Sequence, residues 1–155
     1  MNQAATAYTF GKQEQCFRKA QRTRALIAGL LAPDDHSEPL NCLIRDISPD
    51  GAQIRVNPAQ PAPESGYLIN LKTRSAYHVH AVWRQGSLTG LSLGEERVIN
   101  DLLPAHLEFL RSLFIEAKLR QVDQLTSQGL GKAAALRRCG IGEELYRLAR
   151  EIFSA

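Results

Sequence analysis

From residue 24 to residue 93 the sequence divides into six short runs, each ended by residues that turn a chain. The runs are 24–32 (RALIAGLLA), 40–47 (LNCLIRDI), 52–56 (AQIRV), 67–72 (YLINLK), 76–84 (AYHVHAVWR) and 88–93 (LTGLSL). Between them lie Pro33-Asp34-Asp35, Ser48-Pro49-Asp50-Gly51, the three-proline segment 57–66 (NPAQPAPESG), Thr73–Ser75 and Gln85–Ser87. Runs of this length are typical of strands and short for helices, although length alone leaves a helix open for the apolar run 24–32. Six strands at this spacing predict a small antiparallel barrel or sandwich.

The pattern changes near residue 95. Leu103, Leu107, Leu110, Phe114 and Ala117 recur at helical spacing, with Leu113 widening the stripe. They predict a helix over about 105–125, followed by two shorter ones, 132–138 and 142–153, joined at Cys139-Gly140-Ile141-Gly142. Residues 1–15 are polar, contain Gly11 and show no periodicity, so a flexible segment is expected there. The expected organisation is a flexible segment 1–15, a barrel over 16–95 and a helical extension over 96–155. The fold class is mainly β, a six-stranded antiparallel barrel with C-terminal α-helices.

Charge is unevenly placed. The net charge is +3, yet residues 1–32 carry Lys12, Arg18, Lys19, Arg22 and Arg24 against Glu14, a local +4. A basic cluster at one end favours an anionic partner, a solvated basic tail being the alternative. The odd set Cys16, Cys42 and Cys139 has no close metal-ligand spacing, which argues against a disulfide framework or a zinc site and fits a reducing cytoplasm. The first 15 residues lack a signal-peptide core, and no apolar run approaches the ~18 residues of a membrane span. A soluble cytoplasmic protein is expected.

Two motifs carry the chemistry. Arg18-Lys19-Ala20-Gln21-Arg22 is an Arg-x-x-x-Arg just before the first strand. Asp46-Ile47-Ser48-Pro49-Asp50-Gly51 is an Asp-x-Ser-x-x-Gly that ends one strand and opens the next. Together, and with Val82-Trp83 and Gly90-Leu91-Ser92-Leu93 as closing strands, they resemble the PilZ domain family over roughly residues 16–95. That resemblance implies a PilZ-type barrel that binds cyclic di-GMP, a dianionic bacterial second messenger, and acts as a receptor or adaptor for a downstream protein. It also implies contacts to guanine and phosphate by Arg18 and Arg22, to the guanine N1–H and N2 edge by Asp46, a hydroxyl contact by Ser48 and close backbone approach at Gly51. The physical chemistry agrees: a planar guanidinium satisfies guanine N7 and O6 together, stacks on bases and pairs with phosphate. Lys19 and Trp83 are further candidate ligand contacts; Arg24 adds phosphate attraction or is solvated. Trp83 is more often a core residue than a platform for a base.

Other chemistries have less behind them. His78 and His80 share one strand face, but no third metal ligand stands at a convincing position, so no metal is expected. Asp34-Asp35 and Glu95-Glu96 read as solvated charge at turns. No nucleophile-elbow, phosphate-loop or zinc-protease pattern occurs, and no catalytic residue or cofactor is assigned. Residues 133–150 (AAALRRCGIGEELYRLAR) faintly resemble a helix-turn-helix, which would make the chain a cyclic di-GMP-responsive DNA-binding regulator. Glu143 and Glu144 would then face DNA phosphates, which disfavours it. Packing of these helices on the barrel or on another protomer is the expectation. A third alternative is a protein-interaction module that no longer binds nucleotide.

Overall fold

A computed structural model describes residues 23–100 and 102–153. Among these, six strands form a closed barrel: β1 (Thr23–Pro33), β2 (Leu40–Ser48), β3 (Gly51–Arg55), β4 (Ser65–Asn70), β5 (Ser75–Gln85) and β6 (Leu88–Val98). The order around the barrel is β1-β2-β3-β6-β5-β4, every pairing is antiparallel, and β4 returns to β1. A 3₁₀ turn, Ala105–Leu107, leads into α1 (Glu108–Ser127), followed by α2 (Lys132–Cys139) and α3 (Glu143–Phe153).

The apolar run in β1 is continuous because both of its faces are covered. Leu31 points into the barrel with Ile44, Ile54, Leu68, Val79 and Leu91. Its neighbours Leu30 and Ala32 point outward into a second core with Ile69, Leu71, Ala76 and Ile99, which the predicted stripe Leu103, Leu107, Leu110, Phe114 and Ala117 covers. Leu107 and Leu110 are almost wholly buried; side chains of this size contribute ~1.5–3 kcal/mol each when removed from water. A third cluster, Val122, Ala135, Leu136 and Cys139, holds α2 to α1. Gly140, left-handed at φ 71°, closes α2 with its N–H directed to the Leu136 and Arg137 carbonyls. Arg150 of α3 pairs with Asp123 of α1.

The observed strands depart from the sequence pattern at two places: β4 spans Ser65–Asn70, so Ser65 and Gly66 leave the expected loop and Leu71 and Lys72 join the turn, and the end of β6 differs. β6 runs to Val98, five residues past the expected end, so Glu95 and Glu96 are strand residues and not turn residues. Glu96 stands opposite Tyr77 and accepts a hydrogen bond from Ser75 Oγ at 2.7 Å. The turn placement of Asp34 holds, but its carboxylate is engaged: it accepts from Ser65 Oγ at 2.5 Å and lies 3.2 Å from His78 Nε2. The Ser65 hydroxyl, ahead of His78, holds its pKa below the ordinary value.

No helix of the described residues is long and apolar enough to cross a membrane. Cys42 and Cys139 are free thiols. Cys42 is partly exposed as a residue, but burial of its thiol pushes the pKa up to about 12.

Two predictions follow from the packing. A Cβ on Gly66 would lie 2.3 Å from the Ala32 carbonyl oxygen across the β1–β4 seam. Gly66→Ala should therefore lower stability by at least ~1–3 kcal/mol, since backbone cannot step aside as a side chain can; an unchanged urea midpoint would contradict the seam geometry. Cys42 should resist iodoacetamide at pH 8 in the folded protein and react once unfolded, because the thiolate is the nucleophile; peptide mass spectrometry reads both states.

Candidate functional site

The second motif forms the connection between β2 and β3. Ser48 and Gly51 pair as the last residue of one strand and the first of the next. Ser48 is buried, and its Oγ lies 3.0 Å from Asp50 Oδ1 and 3.2 Å from the Gly51 carbonyl oxygen, so its proton serves the turn. Left-handed glycine backbone occurs at Gly86, Gly129 and Gly140, while Gly51 enters β3 directly.

Asp46 is half-buried and sits between two irregularities of register. One lies between Arg24 and Ile27 in the pairing of β1 with β2, the other between Ile44 and Asp46 in the pairing of β2 with β3. Bulges re-aim side chains and are frequent beside functional sites. Here they set the backbone register. Extending the Ile27↔Ile44 register without a bulge would pair Arg24 with Ile47; the observed partner is Asp46.

From Asp46 a row of paired residues crosses the barrel. Asp46 pairs with Gln53, Gln53 with Gly90, and Gly90 with Trp83. Gln53 lies between the inward Ala52 and Ile54, so the row is on the outer face. At ~4.8 Å per strand, Asp46 and Trp83 are ~14 Å apart along it. Beside it runs a second row, Ser48, Gly51, Ser92 and His80.

Trp83 is not a core residue: it is 39% exposed. Its indole lies flat on Gly90, where an added Cβ would meet Nε1 at 2.1 Å. Glycine at 90 is thus the residue that lets an aromatic plane rest on the barrel wall with one face toward solvent.

Asp46, Ser48, Gly51 and Trp83 therefore occupy one outer patch. Arg18, Lys19 and Arg22 lie outside the described residues. Sequence reasoning missed Gln53, Gly90 and the pairing of Arg24 with Asp46. Gln53 could have been found by strand alternation, since it falls two residues after Gly51 on the same face. The Arg24 pairing could not, because it depends on the bulge. The two histidines do share a face, with ring centroids 5.0 Å apart, and His78 also stacks near Tyr67.

No family model matches this chain, and no curated protein matches it. Among solved structures, it is similar to the crystal structure of the PilZ domain of CeSA from a cellulose synthesizing bacterium. That likeness has 16% sequence identity and a TM-score of 0.41, covering 50% of this chain and 83% of the other.

The Trp83–Gly90 stack gives a direct optical test. Trp83 is the single tryptophan. Gly90→Ala should push the indole off the wall and into water, shifting its emission to the red, at a cost of ~1–3 kcal/mol or less because an exposed ring can move. Unchanged emission would mean that the ring does not rest there.

Proposed function

We propose that this chain is a receptor for cyclic di-GMP, which docks on the outer-face patch between Asp46 and Trp83 and is clasped by residues 18–22. The observation that carries this reading is the row Asp46, Gln53, Gly90 and Trp83, lying beside the Ser48–Gly51 connection and ending where the chain enters β1. Arg22 immediately precedes Thr23, and Thr23 stands opposite Ile47, next to Asp46 in the motif.

In this reading each residue does what its chemistry allows. Asp46 accepts from the guanine N1–H and N2 edge. Gln53, one strand further, adds an amide that can donate or accept. The exposed face of Trp83 offers a stacking surface, a contact worth ~1–3 kcal/mol per base. Ser48 acts first through the turn, its proton already committed, with a lone pair left to accept from the ligand. Arg18 and Arg22 supply planar donor forks to guanine and phosphate. Because the segment bearing them is basic and the ligand is a dianion, binding draws that segment onto the barrel wall. The change in position of residues 1–22 is the signal passed to a downstream protein.

Calorimetric titration tests this with matched variants. The wild-type chain should bind with a dissociation constant of ~1 μM or tighter, equivalent to about −8 kcal/mol. Arg22→Ala should weaken binding about tenfold to a hundredfold, the ~1–3 kcal/mol of a bidentate base contact. Arg22→Lys should not rescue it. Lys12→Ala removes the same charge from the same basic segment and should cost only a few tenths of a kcal/mol. Asp46→Ala should also weaken binding, although it removes a negative charge from beside an anion. Equal losses for the Arg22 and Lys12 changes, or tighter binding by Asp46→Ala, would contradict the site.

A further inference from the structure

β1 is paired on both sides only over part of its length. Gly29–Pro33 pair with β4, and the Leu71 N–H still reaches the Ala28 carbonyl at 3.2 Å. The stretch N-terminal to Ala28 has no β4 partner, and a cleft of about 270 Å³ opens there, bounded by Leu26, Ile27 and Ala28. A single water needs only ~10–15 Å³ on this measure.

The other walls are basic. Lys72 comes from the β4–β5 connection, Lys118 and Gln121 from α1, and Arg137 and Arg138 from the last turn of α2; among the described residues no Asp or Glu lines the cleft. Among the described residues none of these four cations makes an ion pair. Surface cations of this protein elsewhere do find carboxylates, as in Arg84–Glu64, Arg97–Glu95 and Arg147–Glu144.

Lys118 is the most informative of them. It is 8% exposed, and its Nζ donates to the Cys139 carbonyl at 2.7 Å and stands 5.6 Å from the centre of the Phe114 ring. A buried ammonium answered only by a carbonyl and a ring is costly to hold. Desolvation accordingly pulls its pKa below the ordinary lysine value, with Cys139 opposing that shift and Arg74 adding to it. An anion in the cleft would offset that desolvation and neutralise the two arginines together.

We propose that the cleft between β1 and the α1–α2 pair is a second binding site, for a phosphate or phosphodiester anion. Lys118 forms its floor, and Arg137, Arg138 and Lys72 form its rim. Nothing in this assignment needs the nucleotide reading above. Its position does join the two: the cleft opens against the same end of β1 that residues 1–22 lead into.

The test titrates the full chain separately with inorganic pyrophosphate and with cyclic di-GMP at low salt. Three forms are compared: wild type, Arg137→Ala/Arg138→Ala, and Arg97→Ala/Arg147→Ala, which removes two charges away from the cleft. Wild-type protein should bind pyrophosphate saturably with a dissociation constant of ~1 mM or tighter, less tightly as salt rises. The 137/138 change should weaken this at least tenfold and the 97/147 change less than twofold. Lys118→Met, matched in length, should also lose the site; the exposed 137/138 pair keeps the test valid if that variant folds poorly. If the 137/138 change also weakens cyclic di-GMP binding about tenfold, the phosphodiester is the cleft's occupant. If it weakens pyrophosphate alone, the cleft takes a free phosphate anion. Pyrophosphate binding without any cyclic di-GMP binding would sink the nucleotide reading and leave this one standing. No saturable pyrophosphate binding, or equal losses in the two double variants, would overturn it.

Discussion

The pairing of Gly29–Pro33 with Gly66–Asn70 closes the barrel, and the rest of the molecule is arranged around that seam. It ties the first strand to the fourth and so closes the ring of six strands. It also places Leu30, Ala32 and Ile69 on the outer wall, where α1 covers them. The N-terminal half of β1, beyond the reach of β4, is paired on one side only. Both the outer patch at Asp46 and the basic cleft at Lys118 lie along that half.

This division explains how one strand can serve packing and recognition. Its C-terminal half is apolar on both faces because both faces are buried, one inside the barrel and one under a helix. Its N-terminal half is where register breaks, and a break in register is a cheap way to aim a polar residue without disturbing the core. The bulges beside Asp46 turn an otherwise regular hairpin into a surface with a carboxylate at its edge. Across three strand spacings, Gly90 lets Trp83 lie flat. Patch and seam are thus built by the same register.

Most of the fold was legible because each strand is bracketed by residues that cannot continue it. The stripe from Leu103 to Ala117 was legible because helical spacing has no other reading once a β wall needs a cover. The end of β6 was not, since Glu95, Glu96 and Arg97 carry no apolar alternation: Glu96 and Arg97 are held by backbone pairing with β5, and Glu96 also by the hydrogen bond from Ser75. Trp83 was misplaced for a related reason. A lone tryptophan in a strand is usually core, and only its glycine partner on the next strand reveals that it lies on the outside. The motif residues Asp46, Ser48 and Gly51 could be named from sequence, but their alignment with Gln53 and Trp83 is a property of cross-strand register. The cleft was invisible in sequence because Lys72, Lys118 and Arg137–Arg138 are scattered along the chain and meet only when α1 and α2 pack beside β1.

The central claim is that a guanine-bearing dianion binds the wall between Asp46 and Trp83. Amide chemical shifts of isotope-labelled protein, followed during addition of cyclic di-GMP, examine it residue by residue. The account predicts saturable shifts at Asp46, Ser48, Gly51, Gln53 and Gly90, a matching change at the Trp83 indole N–H, and little change at the opposite wall around Leu68 and Ile69. Shifts confined to α3 or to the β4–β5 side, or no shifts at saturating ligand, would contradict it.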